Sequence, residues 1–171
     1  NAGGRFFTSG AEIGWDLDWL GSASDKTFFE GMLKCNYAAD DAGVYAADGL
    51  AGGIFNGVTS VAFDDGTHGT YDANYPDLFT AQAGCSTNLR YTSTTSDACV
   101  HADTGVYRVL TCGFPFETIY ESAKRTEVMG KVVTFLLPCA APAAVLTLGA
   151  VTHAAGIPTF TATDTNPAAN V

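Results

Sequence analysis

The sequence predicts an α/β protein: a parallel sheet with flanking helices, followed by a β-prone tail. Three observations carry this. The stretch RFFTSGAEIGWDLD (5–18) climbs from an apolar strand into a tight turn and then a helical start. Many α/β enzymes place a nucleophile at the centre of such a G-x-Nuc-x-G turn. VYRVLTCGFPF (106–116) is a continuous apolar run, as expected of a strand buried on both faces of a parallel sheet. A helical pattern from Ile119 to Leu137 follows it directly, giving the strand–helix alternation of α/β folds.

The elements follow in order. Asn1-Ala2-Gly3-Gly4 reads as the end of a connection from a helix, because Gly caps helix C-termini. A strand then enters at Arg5. Residues 14–20 read as a loop or short helix, and 24–36 as a helix capped by Ser24 or Asp25, with Phe28, Phe29, Met32 and Leu33 on one face. A Gly- and Ala-rich region holds a short strand near Val44–Ala46, and VTSVAF (58–63) is another strand. Residues 64–77 form an acidic loop, and 79–104 a polar excursion. In the second long helix Val128, Met129, Val132, Val133, Phe135 and Leu136 make an apolar face, and Pro138 stops it. The domain is expected over 1–138. Residues 139–171 form an Ala-, Pro- and Thr-rich tail, a linker or a strand that pairs with a partner's edge, β-prone around Val145–Leu148 and Thr159–Thr163.

Composition excludes several classes. The 171 residues carry 8 Lys plus Arg against 18 Asp plus Glu, for a net charge of −10. Such a surface repels phosphate backbones, so no nucleic acid partner is expected. No apolar run approaches the length of a membrane span, and no P-loop or dinucleotide motif is present. Acidic charge suits cations and an extracellular or cell-surface location. Of the five cysteines, Cys85 and Cys99 bracket a polar loop with little apolar area to hold it, the setting in which a bridge is useful in an oxidising compartment. Cys35, Cys112 and Cys139 read as small buried fillers.

Two segments are specific in combination. GGRFFTSGAEIGWDLD and VLTCGFPFETIYESAKRTEVMGKVVTFLL, with the acidic FDDGTHGTYDANYPD, resemble a divergent class I glutamine amidotransferase-like, flavodoxin-type domain of large secreted bacterial proteins. The resemblance spans about residues 1–137. It implies a parallel flavodoxin-like sheet seen from the C-terminal part of the fold, with two or three βα units before the GGRFFTSG strand, so the chain is expected to pair either with a missing N-terminal half or with a second copy. In active members of that group the elbow residue is Cys, with a His and a carboxylate downstream. Here Glu12 stands at the elbow, and GFPFE (113–117) has no His. A carboxylate is a poor nucleophile toward an amide, so triad chemistry is absent.

The remaining candidates are carboxylates and aromatics. Glu12 and Glu117, with Asp16, can converge at the C-terminal ends of adjacent strands, where open α/β sheets hold ligands, and do acid–base or cation chemistry. The alternative is that Glu12 caps the helix it opens. Asp64, Asp65 and Asp72, with Asp18, are candidate calcium ligands, although the EF-hand order is lacking; Asx turns are the competing explanation. His68, His101 and His153 fall in loop or tail, and Ser9 lacks a serine-elbow frame. Trp15, Trp19, Tyr71 and Tyr75 can stack on sugar rings or pack loops onto the core. The leading expectation is a non-catalytic, self-associating structural or binding module, such as part of a fibre or surface layer. A carboxylate hydrolase or lyase, and a calcium-dependent carbohydrate- or wall-binding module, are the alternatives.

Overall fold

The computed structural model describes residues 3–137 and, in the tail, the strands Thr147–Leu148, Thr152–Ala154, Ile157–Thr159 and Ala162–Thr163. The chain forms two compact units, Asn1–Leu137 and Pro138–Val171.

The first unit is mixed α/β, and its sheet is mostly antiparallel. Strand β1 (Arg5–Ser9) pairs in parallel with β8 (Arg108–Cys112). From β8 the order continues through β7 (Asp97–Asp103), β6 (Ser86–Tyr91), β3 (Ala46–Gly49) and β4 (Val61–Ala62), antiparallel at each step. Strand β5 (Leu78–Ala81) touches β7 at Phe79–Asp97 and carries β2 (Cys35–Ala39) on its other edge, so the sheet branches and curls. The expected parallel flavodoxin-like sheet is thus corrected to a single parallel pair. The reason lies in residues 79–104, expected as a polar excursion and found as three strands. Leu89, Tyr91, Ala98, Val100 and Ala102 are buried there. Alternation with Arg90, Asp97 and His101 diluted their apolar signal, as antiparallel strands do when their faces differ.

Helices cover both faces of the sheet. Helix α1 (Ala23–Phe28) runs on into a π-helical turn, Phe29–Leu33. Phe29 and Leu33 pack on Phe79, Val100, Ala102 and Val109. Helix α2 (Ser122–Leu136) brings Val128 and Val132 onto Leu110, Cys112 and Phe114. Val109 and Leu110 are successive on β8, so their side chains leave opposite faces and the two cores are separate layers. Ser22, not Ser24 or Asp25, caps α1. It forms a capping box in which Asp25 returns a bond to the Ser22 N–H at 2.9 Å. The first helix ends at Leu33, so Cys35 and Asn36 belong to β2. The second starts at Ser122, and Val133, expected on its apolar face, is exposed.

The disulfide also differs from expectation. Cys99 bonds Cys112, and Cys85 is a free thiol. Cys99 and Cys112 face one another across β7 and β8 with Cα atoms 4.1 Å apart, the close spacing of a non-hydrogen-bonded antiparallel pair. Cys112 is therefore a bridge partner rather than a filler. Cys35 is buried as expected; Cys139 lies outside the described residues.

At the base of the unit Arg108 gathers the chain. Its N–H donates to the Gly4 carbonyl at 3.1 Å and its guanidinium to the Phe135 carbonyl at 2.9 Å. In the second unit Thr152–Ala154 pairs with Ile157–Thr159, and Ala162–Thr163 with Thr147–Leu148, both antiparallel.

Candidate functional site

The strand–elbow–helix is present. Strand β1 ends at Ser9, Gly10 donates to the Cys112 carbonyl at 3.2 Å, and Glu12 turns the chain in a left-handed conformation with φ 65°. Helical backbone follows at once, as the Asp16 N–H reaches the Glu12 carbonyl at 2.9 Å, and it continues as a π-helical turn over Trp15–Trp19. A left-handed backbone costs a non-glycine residue about 1–3 kcal/mol and persists only where surrounding contacts impose it. Here the chain is held on both sides of Glu12, at Gly10 by the Cys112 carbonyl and at Gly14 by the Asp77 carboxylate.

Asp77 is fully buried in the loop before β5. Its N–H donates to the Gly113 carbonyl at 2.8 Å, and its own carbonyl accepts from the Tyr91 hydroxyl at 2.7 Å. Its Oδ2 accepts from the Gly14 N–H at 2.6 Å, at the first free amides of the elbow helix. Gly14 and Gly113 are both required by close approach. A Cβ on Gly14 would meet Phe79 and Tyr37 within 3.0 Å, and one on Gly113 would run into the Asp77 backbone. Asp77 thus ties together the elbow, the end of β8 and β6.

The electrostatics of this corner are one-sided. Burial pushes the Asp77 carboxyl up to about 7, helped by Glu12 and Asp40 and opposed by the Gly14 and Trp15 amides. Glu12 is also raised, by burial first and then by Asp40 and Asp16. The Tyr37 hydroxyl is raised to about 12 by burial and by the charges of Asp40, Asp77 and Glu12. Oδ1 of Asp77 and Oδ1 of Asp40 are both buried without a hydrogen-bond partner. Three aromatics adjoin the carboxylates. Trp15 stacks on Trp19 at 6.1 Å, and both rings lie 6.1 Å from Tyr37.

The residues expected from sequence are distributed differently. Glu12 is at the centre of this corner, with Asp16 exposed beside it. Glu117 is exposed and accepts from the Tyr71 hydroxyl at 2.5 Å; the carboxylates that raise Glu12 are Asp40 and Asp16, not Glu117. Asp18 accepts from the Tyr37 N–H at 2.8 Å and so pins the elbow helix to β2. Ser9 Oγ accepts from the Phe116 N–H at 3.2 Å. Asp40, Tyr37 and Asp77 fall in no motif of the sequence. Asp77 stands 63 residues from Gly14, and only the antiparallel path through β5 to β7 brings them together. The one local signal was an acid directly before the apolar Leu78-Phe79.

The acidic loop is organised internally. Asp64 is buried and accepts from the N–H groups of Gly66, His68 and Thr70 at 2.7–2.8 Å and from the Thr70 hydroxyl at 2.9 Å. These four donors occupy the lone-pair positions a carboxylate has to offer. They outweigh its burial and hold its pKa down at about 2. Asp65 accepts from the Thr67 hydroxyl at 2.6 Å, and exposed Asp72 lies beside Tyr45. The bonds from the Gly66 and Thr67 N–H groups, each two residues beyond its acceptor, are Asx turns. Among the described residues no group of three acidic, His or Cys side chains is set to hold a metal ion. His68 stacks on Tyr120 at 3.9 Å. His101, expected in a loop, lies on β7 against Asn88 and Phe135, with its pKa lowered by burial. His153 falls in the strand Thr152–Ala154. Tyr71 and Tyr75 are exposed and lie apart from the elbow aromatics in sequence.

A second feature lies at the opposite end of β1. Among the described residues no strand pairs with its outer edge. Phe6 is 49% exposed there. A groove of about 530 Å³ runs beside Phe6, over the β1–β8 face and against the first helix, lined by Phe6, Phe28, Met32, Tyr107, Val109 and the charged Arg108.

No family model, curated protein or solved structure matches this chain.

Proposed function

We propose that the chain is a non-catalytic structural and binding module of an extracellular protein, one that associates with further copies through the outer edge of β1. The observation that carries this reading is the β1 edge, unpaired among the described residues, with half-exposed Phe6 beside a mostly apolar groove containing Phe28 and Met32. An open edge with apolar neighbours is a template for strand pairing, and folds that do not use it protect it with charge, proline or a cover. The elbow favours binding over catalysis, since its helix amides hold the buried Asp77 carboxylate where an enzyme of this architecture would offer them to a developing oxyanion. The Cys99–Cys112 bridge accords with an oxidising compartment. No helix among the described residues is long and apolar enough to cross a membrane.

The test is the native mass. Light scattering should give a multiple of 17.8 kDa at micromolar concentration. The double substitution Phe6→Lys and Met32→Lys should return a folded monomer. A wild-type chain that stays at monomer mass up to millimolar concentration removes this reading.

A carboxylate hydrolase or lyase is the second reading, favoured by the strained Glu12 and the high pKa of Asp77. It requires that Asp77→Asn and Glu12→Gln each abolish turnover of an amide or glycoside substrate.

A further inference from the structure

We propose that His101 is an acid-operated latch: its neutral ring locks Asn88 against the turn at 50–57, and protonation of the ring releases that turn from strand β6. Asn88 is fully buried, and three segments meet on it. Its backbone carbonyl accepts from the Leu50 N–H at 2.9 Å, and its Oδ1 accepts from the Ile54 N–H at 3.0 Å. Its Nδ2 donates to the Ser86 carbonyl at 3.0 Å and to Nδ1 of His101 on β7. The turn sits close, since a Cβ on Gly53 would come within 3.1 Å of Asn88 Oδ1.

These partners decide where the ring carries its proton. The Ile54 N–H can only donate and the Ser86 carbonyl can only accept. Turning the Asn88 amide over would set like against like at both, so Nδ2 is the group that faces His101. Nδ1 of His101 is therefore an acceptor, and the neutral ring holds its proton on Nε2. Protonation makes both ring nitrogens donors. The Nδ1–H then confronts the Nδ2 hydrogens. Offering Oδ1 to the ring instead would strip Ile54 of its acceptor. The Ser86 carbonyl can accept from the charged ring, but the second Nδ2 hydrogen is then left without a partner. Each arrangement leaves a buried donor unpaired, which costs more than the bond contributes.

The surroundings keep the ring neutral at pH 7. Burial holds its pKa below the usual value near 6.5. The ring meets Phe135 of α2 edge-on at 4.9 Å. The charged groups around it are Asp103 on β7, Arg108 on β8 and Lys131 on α2. Asp103 favours the charged ring, but Arg108 Nε engages that carboxylate at 2.7 Å, and the Arg108 guanidinium lies 5.6 Å from the centre of the same Phe135 ring. Lys131 donates to the Asn56 carbonyl at 3.3 Å, and the turn itself carries no charge. The latch therefore opens below about pH 6.5. It loosens the segment that places Phe55 and Val58 in the core layer beneath α2. None of His101, Asn88 and Ile54 lines the β1 groove, so the latch and self-association stand or fall separately.

Hydrogen exchange read by mass spectrometry tests this on the wild-type chain, with protection taken relative to the free peptide at each pH. Between about pH 7.5 and 5, protection over 50–58 should fall roughly tenfold, the range for one lost buried hydrogen bond. Protection of β8 should hold. Nitrogen NMR should show His101 with its proton on Nε2 at the upper pH, and the midpoint of its titration should coincide with the loss of protection. His101→Gln, whose amide oxygen can accept from Asn88 without titrating, should keep the turn protected throughout. Unchanged protection over 50–58, a loss shared equally by β8, a ring proton on Nδ1, a midpoint apart from that of the ring, or the same loss in a folded His101→Gln would each overturn the proposal. The exchange and NMR measurements on the wild-type chain decide it even where the variant fails to fold.

Discussion

Asp77 couples the elbow to pH. A carboxyl pushed up to about 7 by burial keeps a proton in the folded state, whereas in the unfolded chain it releases that proton near pH 4. Between about pH 4 and 7 the folded state therefore binds more protons than the unfolded one, and stability falls as pH rises through that window. Glu12, raised by burial, Asp40 and Asp16, acts in the same direction. Asp77→Asn should leave the melting temperature nearly unchanged at pH 4 and raise it at pH 8, where the native carboxylate is ionised in a buried corner. A gain of about 1–3 kcal/mol at pH 8 is the expected size. Thermal unfolding of both proteins across pH 4–8 checks this; parallel curves would show that Asp77 is not the titrating group. Asp64 illustrates the opposite balance. It is also fully buried, but four donors keep it ionised, so its contribution is present above pH 4 and is lost only as pH falls toward 2.

Among the elements, the most heavily constrained are β7 and β8. The Cys99–Cys112 bridge joins them, with 13 residues of sequence separation. Closing a loop of that size removes about 3 kcal/mol of unfolded-state entropy. Replacing both cysteines by Ala should lower the melting temperature by roughly 5–10 °C. Because both residues are buried, a native sample should resist millimolar reductant that opens the bridge after unfolding. Thiol labelling followed by mass analysis distinguishes the two. These strands also mark where the sequence was and was not legible. β1, the elbow, α2 and β8 were readable because each has a strong local signal: an apolar run, a Gly-flanked turn, or a helical stripe. β5, β6 and β7 were not, since their polar faces carry Arg90, Asp97 and His101, and such alternation looks like loop when Ser and Thr fill the intervals. The bridge is hidden from the sequence for the same reason. Spacing favoured Cys85 as the partner of Cys99, but the β7–β8 register sets Cys112 opposite it. The site was half legible: Glu12 stood out by its place in the turn, while Asp40 and Asp77 depend on contacts distant in sequence.

On the scale of the whole molecule, net charge and apolar surface pull in opposite directions. The net charge of −10 opposes close approach of two copies, while the β1 edge and its groove favour it. Association should therefore strengthen as salt rises toward about 0.5 M, where the Debye length shrinks to a few ångströms and self-repulsion is screened. Sedimentation velocity across that range reads this, and an assembly that dissociates with added salt would place the contact on ion pairs instead. The gathering of chain around Arg108 has a different consequence. Its backbone and guanidinium bonds to Gly4 and Phe135 bring the two ends of the first unit side by side. Neighbouring ends allow a domain to be reconnected in a new order without moving its core. A circular permutant in which Leu137 is joined to Gly4 by a short Gly-Ser linker, with new ends opened at the exposed turn Gly105–Val106, should retain the native near-ultraviolet spectrum and the Cys99–Cys112 bridge. Inserted through the same two ends into a surface loop of a carrier protein, the unit should fold as a lateral branch that leaves the carrier's own path almost unextended.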